Sequence, residues 1–166
     1  MKHTSIKIIS LLFLVFFTAS CEQEMPEAAL EAAEGGGTLR NYTAYTIDAA
    51  DPSGSNVYGR VVFWKGTLNR TLVQVSLYNT IEGQQHPALI LEGASGVGTT
   101  TLLTLDTVSG DTGELNDNKF YVISDTSFYD GLLDLDAHIN IYLSETDNTI
   151  VASGNIGANA DPVESN

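Results

Sequence analysis

Beyond residue 38 the polar and apolar positions alternate with a period of two. Val73, Val75 and Leu77 fall on one side of an extended chain, and Gln74 and Ser76 on the other. Ile139, Ile141 and Leu143 alternate in the same way with Asn140, Tyr142 and Ser144. That spacing predicts half-buried strands. Further runs rich in Val, Ile, Thr, Tyr, Phe and Trp predict strands over 41–47, 56–65, 87–92, 99–108, 120–124 and 149–156. Turn-forming residues separate the runs: Asp51-Pro52-Ser53-Gly54, Glu82-Gly83, Gly93 through Gly98, Ser109-Gly110-Asp111 and Asp147-Asn148. The segment from Ser127 to Leu133 instead has apolar residues three and four apart, which predicts one helical turn near residues 127–133 with Ser127 as its cap. Many short strands with regular turns give an all-β fold, an antiparallel Greek-key-like β-sandwich, expected over residues 39–160 with 161–166 as a tail.

The first twenty residues break this pattern. Lys2 and Lys7 precede or open an apolar stretch that runs to Phe17 and ends in Thr18-Ala19-Ser20. A membrane-spanning helix needs roughly 20 consecutive apolar residues. The run from Ile8 to Phe17, interrupted by Ser10, has instead the length of the apolar region of a cleavable signal. Thr18-Ala19-Ser20-Cys21 resembles the bacterial lipobox, although leucine is usual where Thr18 stands. The resemblance implies that residues 1–20 are a lipoprotein signal peptide and that Cys21 is the lipid-attachment residue. Two or more acyl chains anchor stably where one does not, each buried methylene contributing about 0.8 kcal/mol. Cys21 is the only cysteine, so no intramolecular disulfide forms.

Cleavage at that site removes two bases and no acid. It leaves 5 of the 7 basic residues against all 21 acidic ones, a formal charge of −16. Such a surface repels nucleic acid, whose binding depends on Lys and Arg meeting phosphates. Membrane attachment then comes from the lipid. Residues 21–38 are acidic and Ala-rich, end in Gly35-Gly36-Gly37, and read as a flexible tether. Fully extended, the tether spans about 55 Å at about 3.3 Å per residue. Glu22-Gln23-Glu24 is similar to the acidic export tag of surface lipoproteins in Bacteroidetes.

Three blocks carry a family resemblance. They are His86-Pro87-Ala88-Leu89-Ile90-Leu91-Glu92-Gly93, the run from Tyr129 through Asp136-Ala137-His138-Ile139-Asn140-Ile141-Tyr142 to Ser144, and the stretch from Ile150 to Asn159. In order and spacing they resemble the CHRD (chordin-like) domain over about residues 42–159. The resemblance implies an extracellular, protein-interacting module of the kind common in bacterial secreted proteins. The family usually carries histidine at the positions of Leu89, Leu91 and Tyr142, and an aromatic residue where His138 stands. The imidazole is thereby displaced by about 13 Å along the strand.

Candidate chemistry is sparse. The mature chain holds two histidines, His86 and His138, and a zinc or copper site wants three or four convergent ligands. Nearby carboxylates would have to complete such a site. His86 reads as a strand-start residue held by a backbone hydrogen bond, and His138 as a surface or edge position beside Asp136. Asp125, Asp130, Asp134, Asp136, Glu145 and Asp147 crowd the last loops without calcium-loop spacing, and read as acid-capped turns. No Gly-x-Ser-x-Gly elbow is present, and Gly93 through Gly98 reads as a flexible hairpin loop. Tyr42, Tyr45, Tyr58, Trp64 and Tyr78 are candidates for an exposed aromatic surface and equally for core and cross-strand pairs. Tyr58 and Trp64 share one strand face.

The expectation is a non-enzymatic, cofactor-free lipoprotein at the outer membrane or cell surface. It would display a binding or structural domain to an extracellular protein or glycan. The alternative is a copper- or zinc-binding envelope protein using His86 and His138.

Overall fold

The computed structural model describes residues 39–51 and 54–166. The leader, Cys21 and the tether lie outside these residues. The described chain is all-β. Its strands are β1 (Tyr42–Ala49), β2 (Tyr58–Lys65), β3 (Thr71–Tyr78), β4 (Gln85–His86), β5 (Ala88–Glu92), β6 (Thr101–Thr104), β7 (Val108–Ser109), β8 (Tyr121–Ile123), β9 (Asp136–Ser144), β10 (Asp147–Gly157) and β11 (Glu164–Ser165). No helix among the described residues is long and apolar enough to cross a membrane.

All pairings are antiparallel, and the main strand order is β6-β5-β9-β10-β1-β2-β3-β8. The sheet folds on itself at β1. From Tyr42 to Ile47 this strand pairs with β2, in register from Trp64 back to Gly59. At Asp48 and Ala49 it pairs with Ser153 and Ala152 of β10. One layer is therefore β1-β2-β3-β8, the other β6-β5-β9-β10, and β1 belongs to both. Gly154 marks the crossing. A Cβ there would sit 2.1 Å from the Thr46 carbonyl oxygen, so only glycine lets the two backbones approach.

The alternation seen in sequence sorts the side chains. Tyr45, Ile47, Val61, Phe63, Val73 and Val75 from the first layer meet Ile90, Ile139, Ile141 and Ile156 from the second in one fully buried cluster. Each large aliphatic removed from water contributes about 1.5–3 kcal/mol. In β10 a register shift between Ile150 and Ala152 turns Val151 and Ala152 both inward. The bulge relaxes strict alternation there.

Four expectations are revised. The run expected as a single strand over 99–108 is broken: β6 pairs with β5, residues 105–107 cross over with Leu105 buried, and β7 pairs with β4 in a separate two-stranded sheet. The helical turn is a 3-10 turn, Leu132–Asp134, and Ser127 does not cap it. Asp125 supplies the cap one turn earlier, its Oδ1 accepting the Ser127 backbone N–H at 2.9 Å and the Ser127 hydroxyl at 2.7 Å. The last hairpin turns at Glu145 and Thr146, so that Asp147 already belongs to β10. Residues 161–166, expected as a tail, include β11, which pairs with Thr43 and Ala44 of β1.

Candidate functional site

Strand β9 lies between β5 and β10. Its odd-numbered residues Ala137, Ile139 and Ile141 enter the core, so His138, Asn140 and Tyr142 point to the opposite, outer face. An outer face normally meets water. Here His138 is fully buried and Asn140 is 5% exposed.

The cover is the β5–β6 loop, Gly93 through Gly98. It folds back over the outer face and is pinned there at several points. The Ser95 backbone N–H donates to Asn155 Oδ1 at 2.7 Å, and its hydroxyl meets the Ser153 hydroxyl at 2.6 Å. The Gly93 N–H donates to the Asp136 carbonyl at 2.9 Å. Gly98 turns the chain so tightly that a Cβ would fall 1.5 Å from the Glu92 carbonyl oxygen. The expectation of a flexible hairpin loop is thus corrected: its backbone and side chains are tied to β9 and β10.

Between loop and sheet lies a cleft of about 280 Å³. His138, Asn140 and Tyr142 form its floor, Leu91 and Ile150 its apolar sides, and Gly96, Gly98 and Thr99 its rim. The imidazole of His138 is oriented by its Nδ1, 2.7 Å from the Gly93 carbonyl oxygen. A carbonyl only accepts, so Nδ1 carries the proton and Nε2 of the neutral ring presents a lone pair. Nε2 has no hydrogen-bond partner in the protein although it is buried. An unpaired buried polar atom costs about 1–3 kcal/mol. Beside it, the Ser153 hydroxyl donates to Asn140 Oδ1 at 2.7 Å, which occupies the oxygen of that amide and leaves its Nδ2.

His86 provides the contrast. It is equally buried, but both ring nitrogens are engaged by backbone. Nδ1 donates to the Tyr142 carbonyl at 3.0 Å, and Nε2 accepts the Ile81 N–H at 3.4 Å. His86 staples β4 and the preceding turn to β9, as its expected role implied. His138, expected at a surface or edge position, is instead central and covered.

The two imidazoles are not brought together. Leu91 of β5 lies opposite His138, whereas His86 sits beside Tyr142, four residues or about 13 Å further along β9. Among the described residues no three His, Cys, Asp or Glu side chains converge in a way that could hold a metal ion. The positions at which the resemblance expects histidine do cluster here. Leu91 pairs with His138, Leu89 pairs with Asn140, and Tyr142 is on the cleft floor.

Tyr58 and Trp64 share the outer face of β2 but belong to separate aromatic pairs. Tyr58 stacks on Tyr78 at 5.4 Å, both well exposed. Trp64 is half-buried, 4.8 Å from the Tyr42 ring, and its Nε1 donates to Gln74 Oε1 at 3.3 Å. Six residues, about 20 Å, separate the two along the strand. Tyr45 is in the core. A second cleft of about 320 Å³ is lined by residues that include Leu39, Leu68, Arg70, Leu72 and Val122, and none of its lining side chains is a buried polar group without a partner.

No local signal marked the cleft. Ser95, Ser153 and Asn155 read as ordinary loop and strand polar residues, and only the fold joins them. Comparison of the chain with models of known protein families, with curated protein sequences and with solved structures finds no match in any of the three.

Proposed function

We propose that the chain is a non-enzymatic lipoprotein of the cell envelope, fixed to a bilayer through Cys21, that holds a β-sandwich binding module away from the membrane. The recognition surface of that module is the cleft beneath the Gly93–Gly98 loop. One observation carries this reading: His138 is buried among the residues that line the cleft, is oriented by a backbone carbonyl, and keeps a ring nitrogen without a partner. Groups fixed in this way are costly unless something meets them. The lipobox-like Thr18-Ala19-Ser20-Cys21 and the acidic tether support the anchoring half of the proposal. The chordin-like resemblance points to an extracytoplasmic module as well.

Each half has its own test. Cells expressing the full chain are fed an alkyne-bearing palmitate and then shaved with protease. Label on the protein, lost in Cys21→Ala, together with loss of the domain on shaving, is the expected result. An unlabelled mature protein free in the culture medium overturns the anchor. For the module, a chemically diverse small-molecule screen read at the His138 ring nitrogens should return binders, and an imidazole that no compound perturbs overturns the binding reading.

A further inference from the structure

The geometry points to an uncharged, hydroxyl-rich ring, a sugar, as the ligand that the His138 cleft takes. This deepens the binding reading above and rests on it.

His138 Nε2 is an acceptor, because Nδ1 spends its proton on the Gly93 carbonyl. Asn140 presents a donor, because its oxygen is taken by Ser153, whose neighbour Ser95 fixes the arrangement from the loop side. An acceptor and a donor thus stand side by side on one strand face, two residues or about 7 Å apart along β9. A ligand that answers both must both donate and accept over a short span. Hydroxyl groups do so with the same atom, and Thr99 adds a third hydroxyl-compatible partner at the rim. Amines only donate when charged, and carboxylates or phosphates only accept.

Charge narrows the choice further. No Lys, Arg, Asp or Glu lines the cleft. All five bases of the described chain, Arg40, Arg60, Lys65, Arg70 and Lys119, lie on or beside β1, β2, β3 and β8. The layer that carries the cleft has none on its strands, while Glu92, Asp136 and Asp147 sit on them. An anion would enter a negative field with no counter-charge, and a cation would find no carboxylate inside. Leu91, Ile150 and Tyr142 offer apolar and aromatic surface for the C–H face of a ring. A ring-sized ligand suits a cleft of about 280 Å³.

The test uses the full chain, ¹⁵N-labelled and purified in detergent, with the histidine ring nitrogens observed by long-range proton–nitrogen correlation. The probes are the methyl glycosides of glucose, galactose, mannose and N-acetylglucosamine, with inorganic phosphate and Zn²⁺ alongside. At least one glycoside should shift His138 Nε2 saturably, with a millimolar dissociation constant, and leave His86 unmoved. Leu91→Phe, which fills the cleft, should weaken that binding by about tenfold or more. Ile150→Phe, at a position 38% exposed, does the same if the first variant does not fold. Asn140→Ala should weaken it as well. A shift that survives both filling variants overturns the proposal. A shift with Zn²⁺ or phosphate and none with glycosides overturns the sugar and leaves a binding module. Silence with every probe overturns the sugar, and the binding reading is then decided by the diverse screen.

Discussion

At the scale of single residues, the two buried histidines separate structure from recognition. Removing His86 takes a partner from the Ile81 N–H and the Tyr142 carbonyl and opens a cavity where a fully buried ring stood, so His86→Ala should destabilise the domain by about 2–4 kcal/mol. His138→Ala removes one bond and enlarges a cleft that is already open, and should cost less. Urea titrations of the two variants check the order. Titrating groups act at the extremes of pH. The Ser127 backbone N–H and hydroxyl hold the Asp125 carboxyl below the usual carboxylate range, and the Thr149 hydroxyl and N–H do the same for Asp147. A lowered folded pKa gives stability that is present above the unfolded value and is lost as pH falls through the folded one. The denaturation midpoint should therefore drop below about pH 4, and less steeply in Asp125→Asn. Burial raises the Tyr45 phenol, so the unfolded chain ionises first and stability should fall again above about pH 10.

At the scale of elements, the seam is where change is least tolerated. Gly154→Ala pushes a methyl into the Thr46 carbonyl and should cost about 1–3 kcal/mol or more, measured by thermal melting. The Gly93–Gly98 loop is held by polar ties rather than by core packing. Ser95→Ala should raise amide hydrogen exchange across that loop and along the outer edge of β10 while changing global stability by no more than about 1 kcal/mol. The strands themselves were legible because each writes its burial into its own local period: Val73, Val75 and Leu77 need no partner to be read as one face. The cover over His138 was not legible. Its ring meets a carbonyl 45 residues away, and the residues under the loop alternate as though solvated. The break after Thr104 escaped for a related reason. A Thr-rich run favours extended backbone without specifying whether β5 or β4 is the neighbour.

At the scale of the whole molecule, cohesion comes from one core under an acidic surface. Ion pairs add little. Arg60 and Glu164, 3.5 Å apart and more than half exposed, contribute about 0–1 kcal/mol. With 21 acids against 7 bases in the full chain, screening of self-repulsion should outweigh the loss of such pairs. Added sodium chloride should raise the urea midpoint, and a fall with salt would contradict this.

The pairing of Tyr42 with Asn166, N–H to carbonyl in both directions at 3.0 and 2.9 Å, has a topological consequence. Within the described domain, residues 42 and 166 are thereby brought side by side. A short peptide splice joining residue 166 to residue 42, with a new cut at the exposed tip of the β9–β10 hairpin, would keep every inter-strand partner while reversing which strands are made first. Such a circular permutant is expected to reach the same native state by a different route, and comparing its refolding rate with that of the parent would show whether the shared strand β1 must be in place before the two layers meet.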